Sequence, residues 1–190
     1  AVGFLVGEPN KGLPAMFCMM NEMRVSVGLY GAALAWAGYL YALQYAKERP
    51  QGRRHHERDP SKHAMVPIIE HSDVRRMLLA QKAYSEGAIS LCMKVSRAID
   101  DQRVAKHEGD AAEEARLSAL LDVLTPVVKS WPADWGLEAN KLAIQTLGGY
   151  GYTKDYPVEQ YYRDSRPNMI YEGTNGVQSL DLLGEEGVCG

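Results

Sequence analysis

The sequence predicts an all-α protein, an antiparallel four-helix bundle. Three observations carry that expectation. Apolar residues recur three and four apart through three long stretches. Gly and Pro interrupt the pattern where helices would have to end. Nowhere does period-two alternation run long enough for a sheet strand. The 190 residues suffice for one ordinary core. With 46% hydrophobic and 24% charged residues and a net charge of -3, the composition is globular and lacks the basic excess of a nucleic-acid binder.

Residues 1–12 read as an extended lead-in, with Phe4-Leu5-Val6 followed by Gly7, Pro9 and Gly12. Residues 13–184 read as the helical domain and 185–190 as a tail. The first helix is expected from Leu13 to Glu48, ended by Pro50 and Gly52. Its segment Val25 to Ala46 carries no charge and has the length of a membrane span. It is built from Ala, Gly, Ser and Tyr more than from Leu, Ile and Phe, so its transfer energy is weak and a buried helix is expected instead. Gly28, Gly31, Ala32, Ala35 and Gly38 recur at roughly helical spacing and would let another helix approach closely. Residues 53 to 63 are highly polar, hold three of the five histidines and read as a solvated surface loop rather than a metal site.

A second helix is expected from an N-cap at Ser72 or Asp73, with Val74, Met77, Leu78, Tyr84, Ala88, Leu91, Val95 and Ile99 as its apolar stripe and Gly109 as its break. A third is expected from about Ala111, following Leu117, Leu120, Leu121, Leu124, Val128, Trp131, Trp135 and Leu142 to Gly148-Gly149. Pro126 and Pro132 should kink or split it. Short helices are expected near Val158 to Asp164 and Thr174 to Leu183. Cys18, Cys92 and Cys189 are widely separated and form no CxxC, which points to reduced thiols and a cytoplasmic setting.

The chemistry concentrates between Gln145 and Gln178. That stretch reads Gln145-Thr146-Leu147-Gly148-Gly149-Tyr150-Gly151-Tyr152, then Tyr156-Pro157-Val158-Glu159, Arg163-Asp164 and Ile170-Tyr171-Glu172-Gly173-Thr174-Asn175. Double glycines often just end helices, and an Arg-Asp pair is often a weak surface bridge. Neither explains so dense a run of Gly, Tyr and charge between helices.

In order and spacing these motifs closely resemble the C-terminal signature of the acyl-CoA dehydrogenase family, and the resemblance extends over nearly the whole chain. The Val6 to Leu13 start and the Pro67-Ile68-Ile69-Glu70-His71 stretch look most like the branch that includes 3-methylmercaptopropionyl-CoA dehydrogenases. The resemblance implies α,β-dehydrogenation of an acyl-CoA thioester with FAD as cofactor. A base removes the α-proton while a hydride leaves the β-carbon for flavin N5. The base must lie within reach of that carbon, the thioester oxygen must be stabilised, and water must be excluded.

By the same resemblance Glu172 is the base, with its backbone N–H on the thioester oxygen. Tyr171 and Gly173 flank the substrate. Thr174 caps the next helix beside the flavin. Arg24 matches an arginine that supports the active-site loop. Arg49 matches one that reaches the FAD pyrophosphate of a neighbouring subunit, a task suited to its forked donors. Gln145 and Gly149 match residues lining the adenine end of that FAD. Family members that carry the base on the first helix have it at the position of Met23; Glu22, about 100° around the helix, is a poor substitute. Departures from the family are Pro50-Gln51-Gly52 in place of a Phe-Gly after Arg49, the apparent insertion 53–66, and Gly176 where a Gln is common.

The family is built from three domains, so this chain is expected to be the last of them, inactive alone and a homo-oligomer. An electron-transfer flavoprotein is the expected acceptor. An acyl-CoA oxidase would use the same base. A non-enzymatic, DNA-binding relative of the alkylation-response type is disfavoured by the acidic balance.

Overall fold

The structure is a computed structural model that describes residues 1–57 and 59–184; of Pro14, Phe17 and Cys18 it describes the backbone only. The expected tail 185–190, with Cys189, lies outside the described residues, as does Arg58 of the polar loop.

Three helices of 37 residues each form the body: α1 (Gly12–Glu48), α2 (Ser72–Glu108) and α3 (Ala111–Leu147). Each packs on the other two, and the short α4 (Val158–Ser165) lies against α1 and α3 to complete the bundle. A last helix, α5 (Asn175–Leu183), packs on α3. No strand occurs among the described residues; the nearest approach is one isolated antiparallel bridge between Pro50 and Pro67, which closes the base of the polar loop. Residues 1–11 contain no helix and are exposed.

The ends of α2 and α3 follow from local chemistry. Gly109 takes a left-handed conformation at φ +76° and ends α2. Asp110 then caps α3, its carboxylate accepting from the Glu113 amide at 3.0 Å. Glu113 and Glu114 follow in the first turn, where negative charge suits the helix dipole. The start of α2 differs from expectation. Neither Ser72 nor Asp73 is its N-cap; His71 is, without a side-chain cap bond. A 3-10 turn at Ile68–Glu70 runs directly into the helix, and the His71 ring is engaged elsewhere, 2.7 Å from the Gln51 carbonyl across the loop base.

The two prolines do not split α3. Both are buried inside one continuous helix held between α1 and α2. Pro132 has no N–H, so the carbonyl of Val128 lacks its usual amide donor one turn on. That carbonyl lies against Gly28 of α1: a Cβ added there would meet it at 2.1 Å. Similarly, a Cβ on Gly31 would meet the Pro132 carbonyl at 2.7 Å, and one on Gly38 the Asn140 amide oxygen at 2.0 Å. The small-residue face of α1 therefore brings its backbone onto α3 at three points. Ala32 and Ala35 are buried along the same helix. The Met19–Glu48 part of α1 is long and apolar enough to cross a membrane, and it is the stretch that carries these contacts.

Apolar core gathers on either side of that contact. One cluster joins Val25, Cys92, Val95, Leu117, Leu121 and Val128. The other joins Tyr39, Met77, Leu78, Ala143, Leu147 and Val158, towards the C-terminal end of α1. Asn140, buried between helices, donates to Ser165 Oγ at 3.0 Å and so ties α3 to α4.

Candidate functional site

The four residues Tyr171, Glu172, Gly173 and Thr174 form a tight turn between a 3-10 turn at Arg166–Met169 and α5. Two consecutive residues have positive φ, Glu172 at +54° and Gly173 at +88°. Gly suits that region; for Glu it is strained. At Gly173 the need for glycine is also steric, because a Cβ would meet Gln178 Nε2 at 2.5 Å. Thr174 is the N-cap of α5, its Oγ1 accepting from the Val177 amide at 3.4 Å. Tyr171 donates from its hydroxyl to Asn168 Oδ1 at 2.5 Å, and partial burial, with Tyr30 and Glu172 nearby, raises its pKa.

Beneath the turn lies a residue that the sequence did not single out. Lys129 of α3 is fully buried, and its Nζ donates to the Gly173 carbonyl at 2.5 Å and to Asn175 Oδ1 at 3.4 Å. Burial lowers its pKa; Asp134 opposes that shift, Arg24 adds to it, and Glu172 opposes it. Asp134, one turn along α3, has its own pKa raised by burial, against the hydrogen bond from Asn175 and the charges of Lys129 and Arg166. Gln178 of α5 is also buried and donates to the Glu172 carbonyl at 3.1 Å. Lys129 falls four residues after buried Thr125 and four before buried Ala133, so a cation in register with an apolar face was the available signal.

Arg24 is buried on α1 and forms an ion pair with Asp181 of α5. It thus grips α5, the helix that follows the turn. Glu22 is engaged elsewhere: its exposed carboxylate accepts from Arg103 of α2 at 2.5 Å.

Arg49, Gln145 and Gly149 lie apart from this turn. Lys129 and Gln145 are sixteen residues apart on α3, about 24 Å at helical rise. Arg49 ends α1 with its guanidinium 5.3 Å from the Tyr150 ring centre, and Tyr150 stacks on Tyr156 at 5.2 Å. Tyr41 and Tyr45 meet Tyr156 edge-on. Beside them is a cleft of ≈ 440 Å³ lined by Tyr41, Gln44, Tyr45, Glu48, Arg49 and Tyr156. The buried Nε of Arg49 has no hydrogen-bond partner there. Gln145 is exposed on the last turn of α3, and Gly149 is exposed in the 3-10 turn Gly148–Tyr152, with open space where its side chain would be.

The sequence pattern of the acyl-CoA dehydrogenase C-terminal domain matches residues 10–185. The chain belongs to that family. It is 42% identical over 188 residues, 98% of its length, to a 3-methylmercaptopropionyl-CoA dehydrogenase from Ruegeria pomeroyi. It is 39% identical over 96% of its length to the broad-specificity linear acyl-CoA dehydrogenase FadE5 from Mycobacterium tuberculosis. Each alignment spans 30% of the relative's own length. Among solved structures, butyryl-CoA dehydrogenase from Megasphaera elsdenii superposes with a TM-score of 0.71 at 26% identity, over 94% of this chain and 39% of that one. Acyl-CoA dehydrogenases are FAD-dependent, and this chain corresponds to their helical C-terminal domain.

Proposed function

We propose that this chain is the C-terminal domain, residues 13–184, of an FAD-dependent enzyme that oxidises an acyl-CoA thioester between its α and β carbons, with an electron-transfer flavoprotein as acceptor. The observation that carries this reading is the Tyr171–Thr174 turn, where a carboxylate stands on a strained backbone that the core holds by two buried donors.

Glu172 takes the α-proton. Its backbone N–H stabilises the charge that develops on the thioester oxygen. Tyr171 and Gly173 border the substrate; Gly173 keeps the approach free of side-chain bulk. Thr174 closes the first turn of α5, whose remaining amides favour an electron-rich neighbour. Bound FAD supplies the acceptor for the hydride from the β-carbon. The residues at the far end suit the same cofactor: Arg49 has an unpartnered buried donor for a phosphate, beside stacked Tyr150 and Tyr156, and Gly149 leaves room. Their separation from the turn supports the assignment of Arg49, Gln145 and Gly149 to the FAD of a second subunit, and hence a homo-oligomer. Arg24 steadies α5 through Asp181. The exposed apolar residues Leu29, Tyr30, Val177 and Leu180 suit cover by the preceding domain or another copy.

The test is Glu172→Gln in the full-length flavoprotein, read by stopped-flow bleaching of the flavin with a panel of acyl-CoA substrates. The expected loss is three orders of magnitude or more, about 4 kcal/mol of transition-state stabilisation, with flavin and acyl-CoA binding retained. Unchanged bleaching would move the base elsewhere.

A further inference from the structure

Lys129 is the largest of the fully buried side chains described. Stability alone does not call for a cation there, since an apolar residue of similar volume fills such a site without the cost of stripping water from a charge. Its ammonium meets the Gly173 carbonyl at 2.5 Å, and the next residue's side chain but one, Asn175 Oδ1, at 3.4 Å. Gln178, also without exposure, meets the carbonyl of Glu172 at 3.1 Å. Two successive carbonyls of the turn therefore point into the core. All described peptides are trans, so each N–H points opposite to its C=O. The amides of Gly173 and Thr174 accordingly point outward, on the side away from Lys129. A non-glycine residue in the left-handed region costs about 1 kcal/mol or more and persists only where its surroundings over-determine it.

From this geometry we infer that Lys129 is a positioning residue: by holding the Gly173 carbonyl it fixes the left-handed backbone on which the Glu172 carboxylate stands. The inference rests on the reading of Glu172 as base. Lys129 touches neither substrate nor cofactor and acts only through the turn.

The test compares Lys129→Met and Lys129→Arg in the full-length flavoprotein. Met keeps the length and removes the donor; Arg keeps a charged donor. For Met we expect kcat to fall about a hundredfold, the order of loss that a 1 Å misplacement brings, with KM little changed. Amide hydrogen exchange over 171–175 should quicken about tenfold or more while the α1–α3 core keeps its protection. Arg should restore part of both. Unchanged exchange over 171–175 with unchanged kcat would overturn the inference. Loss of protection spread evenly through the bundle, with no rescue by Arg, would reduce Lys129 to a core residue and overturn it as well. Should Met fail to fold, a crystal structure of the wild-type flavoprotein decides: an Nζ out of hydrogen-bond reach of the Gly173 carbonyl ends the proposal, and one within reach sustains it. A wild type without dehydrogenase activity, whose Met variant still exchanges faster at 171–175, would sink the functional reading and leave the anchoring intact.

Discussion

Replacing Gly28 by Ala tests the packing of α1 on α3 at its tightest backbone contact. The new Cβ would sit 2.1 Å from the Val128 carbonyl oxygen, where ordinary contacts begin at 3.4 Å. The helices must part locally by about 1.3 Å, because a helix carbonyl, unlike a side chain, has no other rotamer to adopt. Overpacking of a core typically costs about 1–3 kcal/mol, and parting the helices also loosens Val25 and Ala32, so the upper end applies. Alanine returns about 1 kcal/mol through its better helix propensity. The net loss is about 2 kcal/mol, or a fall in Tm of about 4–8 °C for a chain of this size. Thermal unfolding followed by far-UV circular dichroism measures it. Gly87→Ala is the internal control: its Cβ would meet only the Trp131 ring, at 3.3 Å, and the ring can yield. That variant should melt at or slightly above the wild type. If Gly28→Ala also melts at or above the wild type, the account of the α1–α3 contact is wrong.

Three further outcomes follow from the structure. Asp110→Ala removes the cap of α3 and should cost about 1 kcal/mol, lowering Tm by about 2–4 °C; no change would show that the bond to Glu113 N is idle. Burial holds the Lys129 pKa below the ordinary 10.5, so in the window between its folded value and 10.5 the unfolded chain binds the extra proton. Stability should therefore rise with pH through that window, and urea midpoints of Lys129→Met should lose that part of the rise. Burial pushes the Cys92 thiol up to about 11. With Cys18 and Cys189 replaced by Ser, alkylation at mildly alkaline pH should be slow in the folded protein and fast in denaturant; rapid native-state labelling would contradict the burial.

The long elements were legible because their punctuation is local. Pro50, Gly109 and Gly148 mark helix ends within a residue or two, and Thr174 precedes α5 as a cap should. The face of α1 built from Gly28, Gly31 and Gly38 could be read from spacing, since only small residues admit so close a neighbour. The 3-10 turns at Ile68–Glu70, Gly148–Tyr152 and Arg166–Met169 were not legible: three to five residues give no periodicity to count. For the same reason the cap of α2 was misplaced, since His71 takes its position from the bond to Gln51 across twenty residues. Glu172 and its neighbours stood out by motif, but the platform beneath them did not. Lys129 and Gln178 look like surface residues until the helices pack, because their partners are backbone carbonyls, which the sequence does not spell.

The close seating of α1 also bears on the order in which the chain folds. The α2–α3 hairpin closes through Gly109 and Asp110 alone, so its contacts need little loop closure. Gly28 meets Val128 only across about a hundred residues of chain, and a glycine-lined seam rewards docking only once backbone meets backbone in register. The hairpin should therefore nucleate and α1 should dock late, after the rate-limiting barrier. A defect at Gly28 would then hasten unfolding and leave the refolding rate almost untouched, which makes this seam the element that sets how long the folded domain lasts.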